Sequence, residues 1–301
     1  MTAGLRYILA ALCLGWCALW ASETLFWSFP RADMTLPVLV WTWLTYALLS
    51  AAALSAVIWS GLEGWRAGFL GGALLGYGGE GAVVGTIYDA VPFQLVWTPL
   101  AWHALISGLW VLAVGLRLPR GPVWRQAAGL VLLGLFGAVW ALFWPAEQEV
   151  AVGLPAMLLY QPLAGLGVGL AFWGLSRSGT WPEPRWWMGL APLGVFAFWA
   201  AQVAMGPSPL HLLGLAMPGL TLWVMRRLGR RDGAAALFGP PLPLMRALSF
   251  ALAPLIVALL AVPGWAALGG LPTNIAVALV SSALGLGLWL WLVWRALWRP
   301  A

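Results

Sequence analysis

The chain has 301 residues, 62% of them hydrophobic and 8% charged, with a formal charge of +6. Soluble domains carry about 25% charged residues, so water cannot be the solvent for most of this surface, and lipid must be. The positive balance does not indicate nucleic acid, because the basic residues lie in short clusters between apolar runs rather than on one folded face.

All fifteen basic residues are arginine. Together with abundant Ala, Gly, Pro and Trp this reads as GC-rich bacterial codon usage. A sliding hydropathy window predicts ten membrane spans, near 6–24, 36–59, 67–88, 94–116, 126–144, 150–175, 187–205, 209–225, 248–267 and 273–294. The connections are short. The expectation is therefore an all-α polytopic membrane protein, with residues 1–301 forming a single transmembrane domain and no soluble domain.

The first span opens MTAGLRYILAALCLGWCALWASE. It resembles a signal peptide, with Arg6 before an apolar core, but bulky Leu19 and Trp20 spoil the small-residue cleavage pattern. It reads as a retained first helix. Cys13 and Cys17 lie one helical turn apart in it and fit no metal, haem-attachment or disulfide pattern. Their expected role is packing.

Ten spans place both termini on one side. With the amino terminus inside, the inner segments hold Arg6, Arg66, Arg117, Arg120, Arg125, Arg177, Arg185, Arg226, Arg227, Arg230, Arg231, Arg246, Arg295 and Arg299, and only Arg31 falls outside. That obeys the positive-inside rule, and gaining or losing one span would destroy the agreement. The acids Glu23, Asp33, Asp89, Glu147 and Glu149 then face outward. The localisation expected is a bacterial inner membrane with both termini cytoplasmic.

The third span carries the least expected residue. Gly68, Gly72 and Gly76 recur every four residues, and Glu80 takes the next place in the series. Such a stripe of small residues lets helices approach closely in lipid, so Glu80 is expected to face a neighbour rather than acyl chains. Glu80 lies eight residues before Tyr88, about 12 Å of helix rise. His103 lies nine residues after Gln94 in the following antiparallel span, about 13–14 Å. Consecutive helices with a short link pack side by side, so Glu80 and His103 are expected to meet, directly or through water.

Other polar groups are candidates to join them. Asp89 and Gln94 flank the turn beside Pro92, and Tyr160 and Gln161 lie midway along the sixth span. Gln202, His211 and Asn274 sit near the outer ends of later spans, where a convergence would line an outward-opening cavity. Trp124, Trp144, Trp181, Trp186, Trp187 and Trp298 fall near span ends, where the indole suits the headgroup region. Arg226, Arg227, Arg230 and Arg231 form a cluster able to hold anionic lipid headgroups, and the PPLP stretch after it reads as a stiff turn into the ninth span.

Familiar catalytic signatures are absent. There is no HExxH, no Asp-rich diphosphate motif, no phosphate loop ending in Lys and no GxSxG elbow. Two histidines cannot form a three-histidine zinc site, and their unequal depths disfavour a bis-histidine haem. No cofactor or metal is expected. The reading is a proton-linked carrier of a small or lipidic solute, with Glu80, His103, Asp89, Gln94, Tyr160 and Gln161 as its candidate site. The alternatives are a membrane enzyme acting on a lipid or isoprenoid, and a non-catalytic assembly subunit.

Overall fold

The computed structural model describes residues 2–181, 184–229 and 237–298. Among them the regular structure is helical, and helices occupy each of the ten predicted places. These are α1 (Ala3–Trp27), α2 (Leu36–Ser60), α3 (Gly64–Gly78, continuing as Gly79–Val84), α4 (Phe93–Arg120) and α5 (Val123–Glu147). They are followed by α6 (Leu154–Leu175), α7 (Trp186–Met205), α8 (Pro209–Leu212 leading into Leu213–Leu228), α9 (Leu244–Leu268) and α10 (Thr273–Leu297). Eight are long and apolar enough to cross a membrane; α3 and α8 are the other two. Arg230, Arg231 and Arg299 lie outside the described residues.

The exposed surface carries large apolar side chains such as Leu36, Trp41, Leu159, Leu193, Leu279 and Leu284. Water would not tolerate such a continuous coat, whereas hydrocarbon requires it. The chain is an all-α polytopic membrane protein.

Why α3 falls short in apolarity is explained by its place. It is enclosed by α2, α4 and α8, with α7 against its last turn. Its Phe69, Leu70, Ala73 and Tyr77 have 0% exposure. A helix that hardly meets lipid does not need lipid-soluble side chains, so glycine can replace leucine where close approach matters more. By contrast α7 is peripheral, with 11% of its most apolar window buried against 67% for α4.

The α3–α4 contact is the most extensive between any two helices described. A Cβ on Gly72 would stand 2.5 Å from the His103 carbonyl oxygen and 2.9 Å from Ala104 Cα. One on Gly76 would stand 2.6 Å from Pro99 Cα and 2.9 Å from His103 Cβ. Backbone therefore lies on backbone, and only hydrogen fits at these two positions.

Two sequence expectations are corrected here. The third helix ends at Val84 rather than near Tyr88, because Gly85 takes a left-handed conformation at φ +90° and starts a separate short turn, Thr86–Tyr88. Trp144 and Trp181 are core residues, each 3% exposed, rather than headgroup anchors. Trp144 donates its indole N–H to the Phe26 carbonyl at 3.0 Å, beside Trp140, which donates to the same oxygen at 2.6 Å. Trp124, Trp186 and Trp298 are exposed as expected, and Trp187 is partly buried with its ring edge-on to Tyr7.

Thermal unfolding in detergent, followed by tryptophan fluorescence, should separate packed from open glycines. Gly72→Ala should lose about 1–3 kcal/mol through overpacking. Gly287→Ala, where nothing lies within 4 Å of the new Cβ, should be neutral or gain up to about 1 kcal/mol of helix propensity.

Candidate functional site

Glu80 and His103 are in contact. His103 Nε2 lies 3.0 Å from Glu80 Oε1, with the two side chains 5% and 17% exposed. The seam of glycines fixes this pairing, since Gly76, one helical turn before Glu80, rests against His103 Cβ itself. The second carboxylate oxygen of Glu80 accepts from the Thr86 hydroxyl. The left-handed turn at Gly85 folds Thr86 back over the acid. On the other side of the imidazole, Ser22 Oγ lies 3.2 Å from Nδ1. Both ring nitrogens thus have partners, and a proton on either one has an acceptor within reach.

Ser22 brings in a residue that the sequence reading places at the end of the first span, facing outward and apart from the candidate site. Glu23 stands next to it in the last part of α1, its side chain 20% exposed. Tyr46 from α2 donates to Glu23 Oε1 at 3.1 Å, and Arg31 Nη1 donates to Oε2 at 3.4 Å. Ser22 lies beside Tyr46 as well, and Glu23 is within electrostatic range of both His103 and Glu80. A line of polar groups therefore runs Arg31, Glu23, Tyr46, Ser22, His103, Glu80, Thr86. The Glu23 end is closed by Arg31, which also pairs with Asp33 and stacks over Trp27, 4.2 Å from the ring centroid. That hydrogen-bonded guanidinium holds the exposed Asp33 carboxyl below the usual aspartate range.

Four of these residues stand on three stretches of π-helical backbone: Trp20–Thr24 holds Ser22 and Glu23, Gly79–Val84 holds Glu80, and Trp97–Val114 holds His103. These are the only π segments among the described residues. A π turn inserts one residue and rotates the side chains beyond it, and such turns concentrate at functional sites. Here the widening starts at Val96, whose carbonyl accepts from both Leu100 and Ala101, at 3.0 and 3.1 Å.

The remaining candidates divide. Tyr160 reaches the edge of the line, with its hydroxyl 3.4 Å from Thr24 Oγ1. Gln161 does not join: it is fully buried and its amide donates to the Ser28 carbonyl at 2.9 Å. Ser28 is the one non-glycine residue described with positive φ, 62°, so Gln161 fastens the strained end of α1. Asp89 is exposed in the turn between α3 and α4, and Gln94 is partly buried beside it. Neither contacts the pair. The wider convergence of outer polar groups also fails. Gln202 donates to the Val83 carbonyl at 2.9 Å, His211 accepts from the Ser208 N–H at 3.2 Å, and Asn274 donates to Glu147 at 2.5 Å. Each closes a helix end or joins two neighbours. Arg227 is likewise engaged, donating to the Ala296 carbonyl at 3.2 Å.

Glu23 escapes as a site candidate because it stands at the end of the first span, near 6–24, where an acid reads as facing outward. The signal for it is the apolar LFW after SET, which carries the helix on to Trp27.

No protein-family model matches the chain, and no curated protein or solved structure is significantly similar to it. The geometry alone must carry the functional reading.

A double-mutant cycle checks whether the central contact is energetically real. Glu80→Gln and His103→Gln should each lower the unfolding midpoint in detergent. The double variant should be no worse than the more damaging single one by more than about 0.5 kcal/mol, since contacting residues couple by about 0.5–3 kcal/mol. Strict additivity would mean the two side chains act apart.

Proposed function

We propose that the chain is a ten-span carrier of the bacterial inner membrane that couples a small or lipidic solute to proton movement at Glu80 and His103. The observation that carries this reading is the 3.0 Å contact between a buried carboxylate in the last turns of α3 and an imidazole on α4. An ionisable group at that depth costs at least a few kcal/mol and persists where it does work or is paired.

The pair holds a proton in two ways. With His103 charged, Nε2–H donates to ionised Glu80; with both groups neutral, protonated Glu80 donates to Nε2. The two forms differ by the transfer of one proton across one hydrogen bond, with no net change of charge in the low-dielectric interior. Such a pair can accept or release a proton from either side with little desolvation, which is what alternating access requires. Glu23 supplies the outward neighbour: a proton taken by its carboxylate reaches His103 through the Tyr46 and Ser22 hydroxyls, each of which receives one proton as it passes one on. Arg31 stabilises ionised Glu23 and so keeps that end ready to accept.

Support for the orientation comes from the arginines, fourteen of which lie on one side in a ten-span threading. A fluorescent protein fused to the carboxyl terminus should mature and glow, whereas alkaline phosphatase fused there should remain inactive. The opposite result would reverse the threading.

The coupling is tested in proteoliposomes loaded with a pH-sensitive dye and screened against a panel of small neutral, anionic and lipidic solutes. An added solute should accelerate proton entry with the wild type, and Glu80→Gln should abolish that acceleration while eluting as folded protein. Solute-driven proton entry persisting in Glu80→Gln would remove this residue from the coupling.

A further inference from the structure

Far from the Glu80 site, a basin of about 560 Å³ lies where the link between α2 and α3 meets the ends of α4 and α8. Gly64 opens α3 there, roughly 24 Å of helix rise before Glu80. Arg66, Arg117 and Arg120 line the basin, and Glu63 is the one acid among its described lining residues. Among the described residues no ion pair joins Glu63 to any of the three.

The two arginines of α4 are held differently. Arg120 is built into the wall. Its Nη2 donates to the Phe238 and Pro240 carbonyls at 2.6 and 2.7 Å, and its Nη1 donates to the Leu116 carbonyl. Those acceptors are neutral, so they satisfy its N–H groups without cancelling its charge. Arg117 is exposed, and among the described residues it makes no hydrogen bond or ion pair. Its Nη2 lies 3.0 Å from the place a Gly64 Cβ would take, and Gly64 itself has φ +66°. A side chain there would be strained and would push the guanidinium aside, so glycine lets Arg117 rest against the backbone that starts α3. Arg117 is also near enough to Arg120 for the two charges to repel.

Like charges held together without a counter-ion destabilise one another. An anion seated between them removes that repulsion and accepts the donors that Arg117 has to spare. A neutral solute would leave the charges as they are. A phosphoryl group suits the place best, because its three oxygens point in different directions and the guanidinium fork matches their spacing. It can meet arginines on separate walls at once.

We infer that this basin binds a phosphoryl anion, with Arg117 as its main donor, Arg120 as a fixed charge behind it and Arg66 adding a third. At a membrane surface that chemistry is offered by a phospholipid headgroup and by free phosphate. The site owes nothing to proton coupling at Glu80 and stands apart from it.

The test uses the purified protein in a neutral detergent, with the unfolding midpoint read by tryptophan fluorescence, since a ligand of the folded state raises it. One arm titrates sodium phosphate at an ionic strength held constant with sodium chloride. The other adds dioleoylphosphatidylglycerol, with dioleoylglycerol as the same chains lacking phosphate. The midpoint should rise with phosphate, with the phospholipid or with both, and not with dioleoylglycerol. A response to one arm alone names the source. Arg117→Gln should raise the half-saturating concentration at least about tenfold, as bonds to charged groups are the strong ones. Arg117→Lys, which keeps the charge and loses the fork, should fall between the two and serves where the glutamine variant is unstable. Arg125→Gln removes another exposed arginine, one outside the basin, and should stay within about twofold of wild type. No response to either probe, an equal response to dioleoylglycerol, or equal losses in Arg117→Gln and Arg125→Gln would overturn the site. Glu80→Gln should bind as wild type does, so failure of the basin and failure of proton coupling are read separately.

Discussion

Everything around the site depends on how closely two backbones approach. At Gly72 and Gly76 the third helix touches the fourth with no side chain between them, and the atoms it touches include those of His103 and Pro99. A wider separation would place Glu80 and His103 beyond hydrogen-bond reach and expose a carboxylate to hydrocarbon. In lipid, where no hydrophobic effect drives helices together, such close van der Waals contact is itself a main source of association. The same glycines therefore hold the pair of helices and define the separation of the acid from its base.

Enclosure is the second requirement. Large residues such as Phe69, Leu70 and Tyr77 fill the far sides of α3, while peripheral helices such as α7 meet the lipid. Bulk outside and smallness inside divide the labour. Buried tryptophans reinforce this by knitting α1, α4 and α5 together through indole N–H donors: Trp102 to the Ala21 carbonyl, and Trp140 and Trp144 to Phe26. These bonds secure the end of α1 that carries Ser22 and Glu23.

Helix placement is legible in the sequence because hydropathy over about 19 residues averages out local irregularity. All ten predicted segments coincide with helices, although the number that cross the membrane rests on the arginine distribution. The meeting of Glu80 with His103 is legible from the Gly68, Gly72 and Gly76 series and the short link between antiparallel neighbours, although the counted depth takes Tyr88 and not Val84 as the helix end. Finer features are hidden. Glu23 reads as an outward-facing acid at the end of the first span, because hydropathy falls at the polar cluster Ser22, Glu23 and Thr24. The burial of Trp144 and Trp181 cannot be told from interfacial placement, as an indole near a span end satisfies either environment. The π segments leave no pattern, because wider winding changes which face a side chain takes without changing composition.

Those three widened stretches have a mechanical consequence. A π turn can pass its extra residue along the helix, and each residue displaced turns the side chains beyond it by roughly 100° about the axis. Trp97–Val114 is wound this way over all 18 residues, and rewinding of its turns before His103 to α geometry would swing the imidazole from its carboxylate. The bundle could thus alternate which neighbour the ring faces by a screw-like slip inside one helix, leaving its outer coat of leucine and tryptophan undisturbed.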